Sequence, residues 1–152
     1  MKILLVCLGN ICRSPMAEGI LRDMIAKQAL PWRTDSAGTG DYHVGEAPDK
    51  RAVRAMHDKG IDITDLRARQ LRPSDFEEFD LLLAMDASNL KNMQAVAPSE
   101  ELAGKARLMM DYAPELPLRE VPDPYFGGDE GFVAVYEQLT VACRNLIDHA
   151  KR

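Results

Sequence analysis

The sequence predicts an α/β protein: a single domain, residues 1–152, on an open, mostly parallel four-stranded sheet with helices on both faces. Three observations lead there. Apolar runs of strand length alternate with segments of helical period along the chain. The first run feeds directly into Cys7-Leu8-Gly9-Asn10-Ile11-Cys12-Arg13-Ser14-Pro15, giving the strand, loop and helix order of a phosphate-binding βα turn. Finally, 152 residues with 46% apolar and 28% charged side chains suit one domain with its own core.

The first strand is expected over Ile3 to Val6. A helix should then begin at Ser14, a small polar cap, with Pro15 at the first helical position, where a missing N–H costs nothing. Ala17, Ile20, Leu21 and Met24 recur at its helical spacing. A second strand is expected over Thr34 to Ala37, and a helix from Pro48 to Lys59, stopped by Gly60. Leu81 to Ala84, apolar and bounded by acids, reads as a buried parallel strand. Leu90, Met93 and Ala97 mark the helix after it, and Arg107 to Met110 the last strand. In the final helix Phe132, Val135, Tyr136, Leu139, Ala142, Cys143, Leu146 and Ile147 share one face. Asp111 to Gly128, rich in proline and acids, is expected to be the only long irregular piece, and such loops in compact domains are commonly functional.

The chemistry concentrates in the first loop. A helix N-terminus offers free N–H groups and the positive end of a dipole, which favour a bound oxyanion. The same field favours the thiolate form of Cys7, which is the nucleophilic one. Arg13 adds a planar fork able to grip two phosphoryl oxygens together. Gly9 is expected to give the sharp turn and close approach of backbone to anion. Ser14 can donate its hydroxyl to the Cys7 thiolate, and Asn10 can bond backbone groups to hold the loop; both also suit ordinary cap and turn positions. Cys12 is either a small buried residue or a disulfide partner for Cys7 that guards it from irreversible oxidation. Other phosphate motifs fail: no Gly-Lys-Ser/Thr completes a nucleotide loop, and Gly38-Thr39-Gly40 lacks a third glycine because His43 stands there.

Composition excludes several classes. A net charge of −5 and a pI near 5.2 argue against a nucleic-acid partner. The apolar start, Met1 to Val6, is too short for a signal or a membrane span, so no membrane insertion and a cytoplasmic location are expected. Three cysteines, two in one loop, make neither a disulfide framework nor a zinc site, in keeping with a reducing compartment. His43, His57 and His149 share no ligand spacing and read as surface or packing residues, and Cys143 as core. Asp123, in Asp123-Pro124, is on composition alone a turn residue.

The segment Cys7 to Pro15 resembles the signature loop of the low-molecular-weight protein tyrosine phosphatases. Asp35-Ser36-Ala37-Gly38-Thr39, Met85-Asp86-x-Ser88-Asn89 and Asp123-Pro124-Tyr125-Phe126-Gly127 resemble, in the right order, three further segments of that family. The resemblance implies a Rossmann-like, phosphotyrosine phosphatase I fold. It implies hydrolysis of protein phosphotyrosine and small aryl phosphates through a phosphocysteine intermediate, without metal or cofactor. Cys7 would be the nucleophile, Arg13 and Leu8 to Ser14 the phosphate-binding loop, and Asp123 the proton donor to the departing phenolate. Tyr42 and Tyr125 would wall the substrate slot, and Ser36 would support Asn10. A histidine common in that support is absent, Leu66 standing at or beside its place. The partner would be a tyrosine-phosphorylated protein, with a monomer favoured. Two activities on the same fold are alternatives. Arsenate reductases need relay cysteines that residues 82–89 lack, and phosphoarginine hydrolysis goes with a threonine where this chain has Ile11. A non-enzymatic phosphate-binding module would leave Cys7 unexplained.

Overall fold

The computed structural model describes residues 1–152. Four strands, β1 (Lys2–Cys7), β2 (Arg33–Gly38), β3 (Leu81–Ala84) and β4 (Ala106–Leu108), form one sheet in the order β2-β1-β3-β4. Every pairing is parallel; Cys7 lies opposite Gly38, and Val6 opposite Ala84. The apolar run of β1 is explained by its central place, since a parallel strand covered on both faces has no polar side. Ile3, Leu5 and Cys7 face one core with Leu83. Leu4 and Val6 face the other with Leu82 and Ala84.

The first core is closed by α1 (Arg13–Lys27), α2 (Lys50–His57) and α6 (Asp129–Ala150). The apolar face expected of α6 is the one buried, except that Tyr136 is only partly covered. The second core lies under α3 (Asp75–Glu78), α4 (Ala87–Val96) and α5 (Glu100–Ala103), with Phe76 and Met93 at its centre.

The structure corrects the expected elements in four places. α1 starts at Arg13 with Cys12, not Ser14, at the cap, so Pro15 falls at the third position. Its missing N–H is still tolerated, because first-turn amides have no partner inside the helix. The α2 helix is shorter than expected: Asp49 caps it by accepting from Arg51 N, and Gly60, at φ +79°, lies past its end. β4 stops at Leu108, where Met109–Tyr112 wind into a 3-10 turn. Residues 113–128 are not the only long irregular piece, since 39–49 and 58–74 are irregular too. Those two segments are stitched together by Gly45 N to Ala68 O, at 2.8 Å, and Ala68 N to Glu46 O, at 2.9 Å.

Candidate active site

The C-terminal edge of the parallel sheet carries the site, as expected for an open α/β sheet. β1 ends at Cys7, and residues 8–12 loop over to α1. No side chain caps α1, so its first-turn amides remain free for an anion. The segment after β2 runs alongside the loop: Thr39 N donates to Cys7 O and Gly40 N to Leu8 O, both at 2.9 Å. A Cβ at Gly38 would lie 2.7 Å from Leu8 O, so this approach requires glycine.

The left-handed residue of the loop is Asn10, at φ +57°, and not Gly9. Gly9 serves by its size, because a Cβ there would meet the His43 ring at 3.0 Å. Asn10 is 3% exposed and its side chain is fully engaged. Its Oδ1 accepts from Arg69 N at 3.0 Å, which fixes the amide orientation. Its Nδ2 donates to Ser14 Oγ at 2.8 Å and to Ser36 Oγ at 3.0 Å. These bonds hold a backbone conformation that costs a non-glycine residue about 1 kcal/mol.

The same network sets the hydroxyl of Ser14. Ser14 Oγ accepts from Asn10 and lies 3.0 Å from Cys7 Sγ, so its proton is free to point at the sulfur and must do so when Cys7 is a thiolate, which has no proton to give. Asn10 N donates to the sulfur as well, at 3.3 Å. This is why Ser14 does not cap α1: its hydroxyl is turned to the thiol. On the other side, Ser36 Oγ donates to Glu18 Oε1 at 2.7 Å. Glu18 is buried, and burial raises its carboxyl above the ordinary value, an effect the Ser36 bond only partly offsets. The support of Asn10 thus runs through Ser36, Glu18 and Arg69 N, while Leu66 packs against the core.

Arg13 is buried, with its Nη1 donating to Asp86 Oδ2 at 2.7 Å and to Val121 O at 3.0 Å. Its Nη2 lies 3.9 Å from Asp123 Oδ2. Asp86 also caps α4, accepting from Asn89 N at 2.7 Å. Asp123 accepts from Tyr125 N at 3.0 Å, and its side chain is 41% exposed at the mouth. Burial, aided by the charges of Asp49, Cys7 and Asp123, pushes the Cys12 thiol up to about 12, so it stays protonated.

A cleft opens above this floor, lined by residues 7–13 and walled by Tyr42, His43, Asp123, Tyr125 and Phe126. The His43 and Tyr125 ring centroids lie 6.4 Å apart, and those of Tyr125 and Phe126 5.0 Å. All the residues singled out in the sequence, with Ser36 beneath, are gathered here. Five others escaped that reading. His43, expected as a surface or packing residue, forms a wall, and Phe126, 89% exposed, is part of the rim. Asp86, Glu18 and Arg51 act through pairings across long sequence distances. Asp86 and Phe126 lie within segments that resemble the family; His43, Glu18 and Arg51 carry no local signal.

The arrangement is a thiol beneath uncapped helix amides, a buried guanidinium beside it and a carboxyl at the mouth. Known proteins match the chain closely in sequence and fold. A profile described as low molecular weight phosphotyrosine protein phosphatase matches residues 2–152. The low molecular weight phosphotyrosine protein phosphatase of Schizosaccharomyces pombe is 44% identical over 149 residues, 96% of this chain and 94% of its own. The crystal structure of a protein tyrosine phosphatase from Entamoeba histolytica superposes with a TM-score of 0.95 at 39% identity, covering 99% of this chain and 97% of that one. That of DARP, the Drosophila arginine phosphatase, gives 0.94 at 36% identity, covering 100% and 99%. This chain therefore belongs to the low molecular weight phosphotyrosine protein phosphatase family.

Proposed function

We propose that the chain hydrolyses phosphotyrosine in proteins, and small aryl phosphates, through a phosphocysteine intermediate. Cys7 Sγ attacks phosphorus in line; the P–O bond to the phenol breaks as the S–P bond forms. The loop amides and the unoccupied donors of Arg13 take the equatorial oxygens, whose charge is spread in the transition state. Asp123 gives its proton to the leaving phenolate oxygen. A water then attacks the phosphocysteine, Asp123 takes the proton of that water, and inorganic phosphate and the Cys7 thiolate are released. Ser14 stabilises that thiolate with its hydroxyl, and Asn10, Ser36 and Glu18 hold Ser14 in place. Tyr42, His43, Tyr125 and Phe126 flank the aryl ring.

The observation that carries this reading is the 3.0 Å contact between Cys7 and Ser14, whose hydroxyl Asn10 holds against the sulfur with its proton free to donate to a thiolate. A packing cysteine would need no such donor. The test is turnover of a phosphotyrosine peptide, phosphoarginine and arsenate side by side, with Cys7→Ser and Asp123→Ala variants. Phosphotyrosine turnover should dominate, vanish with Cys7→Ser and fall by about a hundredfold with Asp123→Ala. Its pH profile should be a bell with an optimum below neutral, since Cys7 reacts ionised and Asp123 protonated. Preference for phosphoarginine, the substrate class in the name of the Drosophila relative, would overturn the substrate assignment. Activity surviving Cys7→Ser would overturn the mechanism.

A further inference from the structure

The loop that carries Asp123 has few attachments. Within the chain's hydrogen bonds, every one that ties residues 122–128 to the rest of the protein, apart from the turn leading into α6, comes from the side chain of Arg51. Its Nη2 donates to Tyr125 O at 2.9 Å and its Nη1 to Gly127 O at 3.2 Å. The guanidinium lies 5.5 Å from the Tyr125 ring centroid and 4.7 Å from that of Phe132, which roots it at the start of α6. Asp49 fixes the other side of the fork: Nε donates to Oδ1 and Nη2 to Oδ2, each at 3.1 Å. Asp49 is itself tied to the phosphate-binding loop, its N donating to Ile11 O at 2.8 Å.

A rigid strut therefore runs from Ile11 through Asp49 and Arg51 to Tyr125, and Tyr125 N holds the Asp123 carboxylate at 3.0 Å. We propose that Arg51 is a positioning residue that sets the Asp123 carboxyl over Cys7 by gripping the acid loop through two carbonyls. Bonds from Arg51 hold the Asp49 carboxyl below its ordinary value, which keeps the strut charged across the working range. Lysine could not replace the arginine, because gripping two carbonyls and one carboxylate together takes a planar fork. This inference rests on the assignment of Asp123 as general acid.

That dependence shapes the test. A proton donor matters most when the leaving phenolate is basic, so phenyl phosphate and 2,4-dinitrophenyl phosphate separate its placement from everything else. The kcat/KM, which reports the step that expels the phenol, is measured for both substrates in wild type, Arg51→Gln, Arg51→Lys, Asp123→Ala and the Arg51→Gln/Asp123→Ala double variant. Arg51→Gln should lower kcat/KM for phenyl phosphate by about tenfold, and by at least about fivefold more than for the dinitrophenyl ester. Arg51→Lys should show the same ratio, which reads the effect if the glutamine variant folds poorly. In the Asp123→Ala background, Arg51→Gln should cost nothing further.

An equal loss on both substrates, or a further loss in the double variant, would overturn the proposal. So would weakened inhibition by inorganic phosphate, which would place the action of Arg51 on the cradle through Asp49 and Ile11. If Asp123→Ala itself leaves phenyl phosphate turnover intact, the acid assignment fails and this inference fails with it. If Asp123→Ala is slow and Arg51 does not couple to it, only the inference fails.

Discussion

Asp86 does two jobs with one carboxylate, and substitutions can separate them. Its Oδ2 is the counter-charge of Arg13, whose side chain is 4% exposed, and its Oδ1 caps α4. Removing one partner of a buried ion pair commonly costs about 3–5 kcal/mol. Here the loss should sit lower, because the Asp86 side chain is 21% exposed and Arg13 keeps Val121 O. Allowing for that, Asp86→Ser, which can still cap α4, should destabilise by about 2 kcal/mol. Asp86→Ala loses the cap too, worth about 1 kcal/mol more. Asparagine gives no rescue, since Arg13 and Asn89 approach different oxygens of Asp86 and an amide would turn its NH2 toward one of those donors. The assay is urea unfolding followed by Trp32, the only tryptophan, which packs against the larger core. With a slope near 2 kcal/mol per molar, the serine variant should unfold about 1 M earlier and the alanine variant about 1.5 M earlier. A serine variant within about 0.5 kcal/mol of wild type would show that Arg13 does not need Asp86. Equal losses for serine and alanine would refute the capping half.

Two further outcomes are expected. Glu18 is buried with its carboxyl held above the ordinary 4.5, so the fold binds its proton more tightly than the unfolded chain does. The stability linked to Glu18 is therefore fully present below pH 4.5 and lost as pH rises through the higher folded value. Glu18→Gln, which can still accept from Ser36, should lack that fall; urea midpoints that run parallel for the two proteins from pH 4 to 8 would rule it out. In α1, Gly19→Ala should destabilise despite alanine's better helix propensity, because its Cβ would sit 2.5 Å from Ile63 Cγ2 and 3.1 Å from Met56 Cε. Overpacking of about 2 kcal/mol against a propensity gain of about 1 leaves a net loss near 1 kcal/mol, and a variant more stable than wild type would contradict this.

The α/β class, the three longer strands and the floor of the site were legible because local chemistry encodes them. An unbroken apolar run announces a central parallel strand, and Cys7 to Pro15 carries thiol, guanidinium and helix start on one stretch of chain. What escaped depends on partners far along the sequence. Ser14 has every local mark of a cap, and only the fold reveals that Cys7 and Asn10 claim its hydroxyl. Asn10 adopts the left-handed turn that glycine would ordinarily supply, since Ser36 and Arg69 hold its amide in place. α3 and α5 span four residues each, too few for a helical period to register. His43 and Arg51 lie in stretches with no motif, and their places follow from Gly9 and from the carbonyls of Tyr125 and Gly127.

The central place of β1 also has a consequence for synthesis. The strand that ends in Cys7 precedes both of its neighbours in the chain, pairing with residues 33–38 and 81–84. Arg13 waits longer still, for Asp86 and Val121. Its helix packs on β1, β2 and α2 but is not fully covered until α6 has left the ribosome. Pairings this distant in sequence also slow folding. Cys7, among the first residues to be made, is thus among the last to be surrounded, and a chain interrupted before Val121 carries the cysteine without its finished pocket. The topology itself leaves a truncated translation product without the Arg13 pairings and the loop of Asp123.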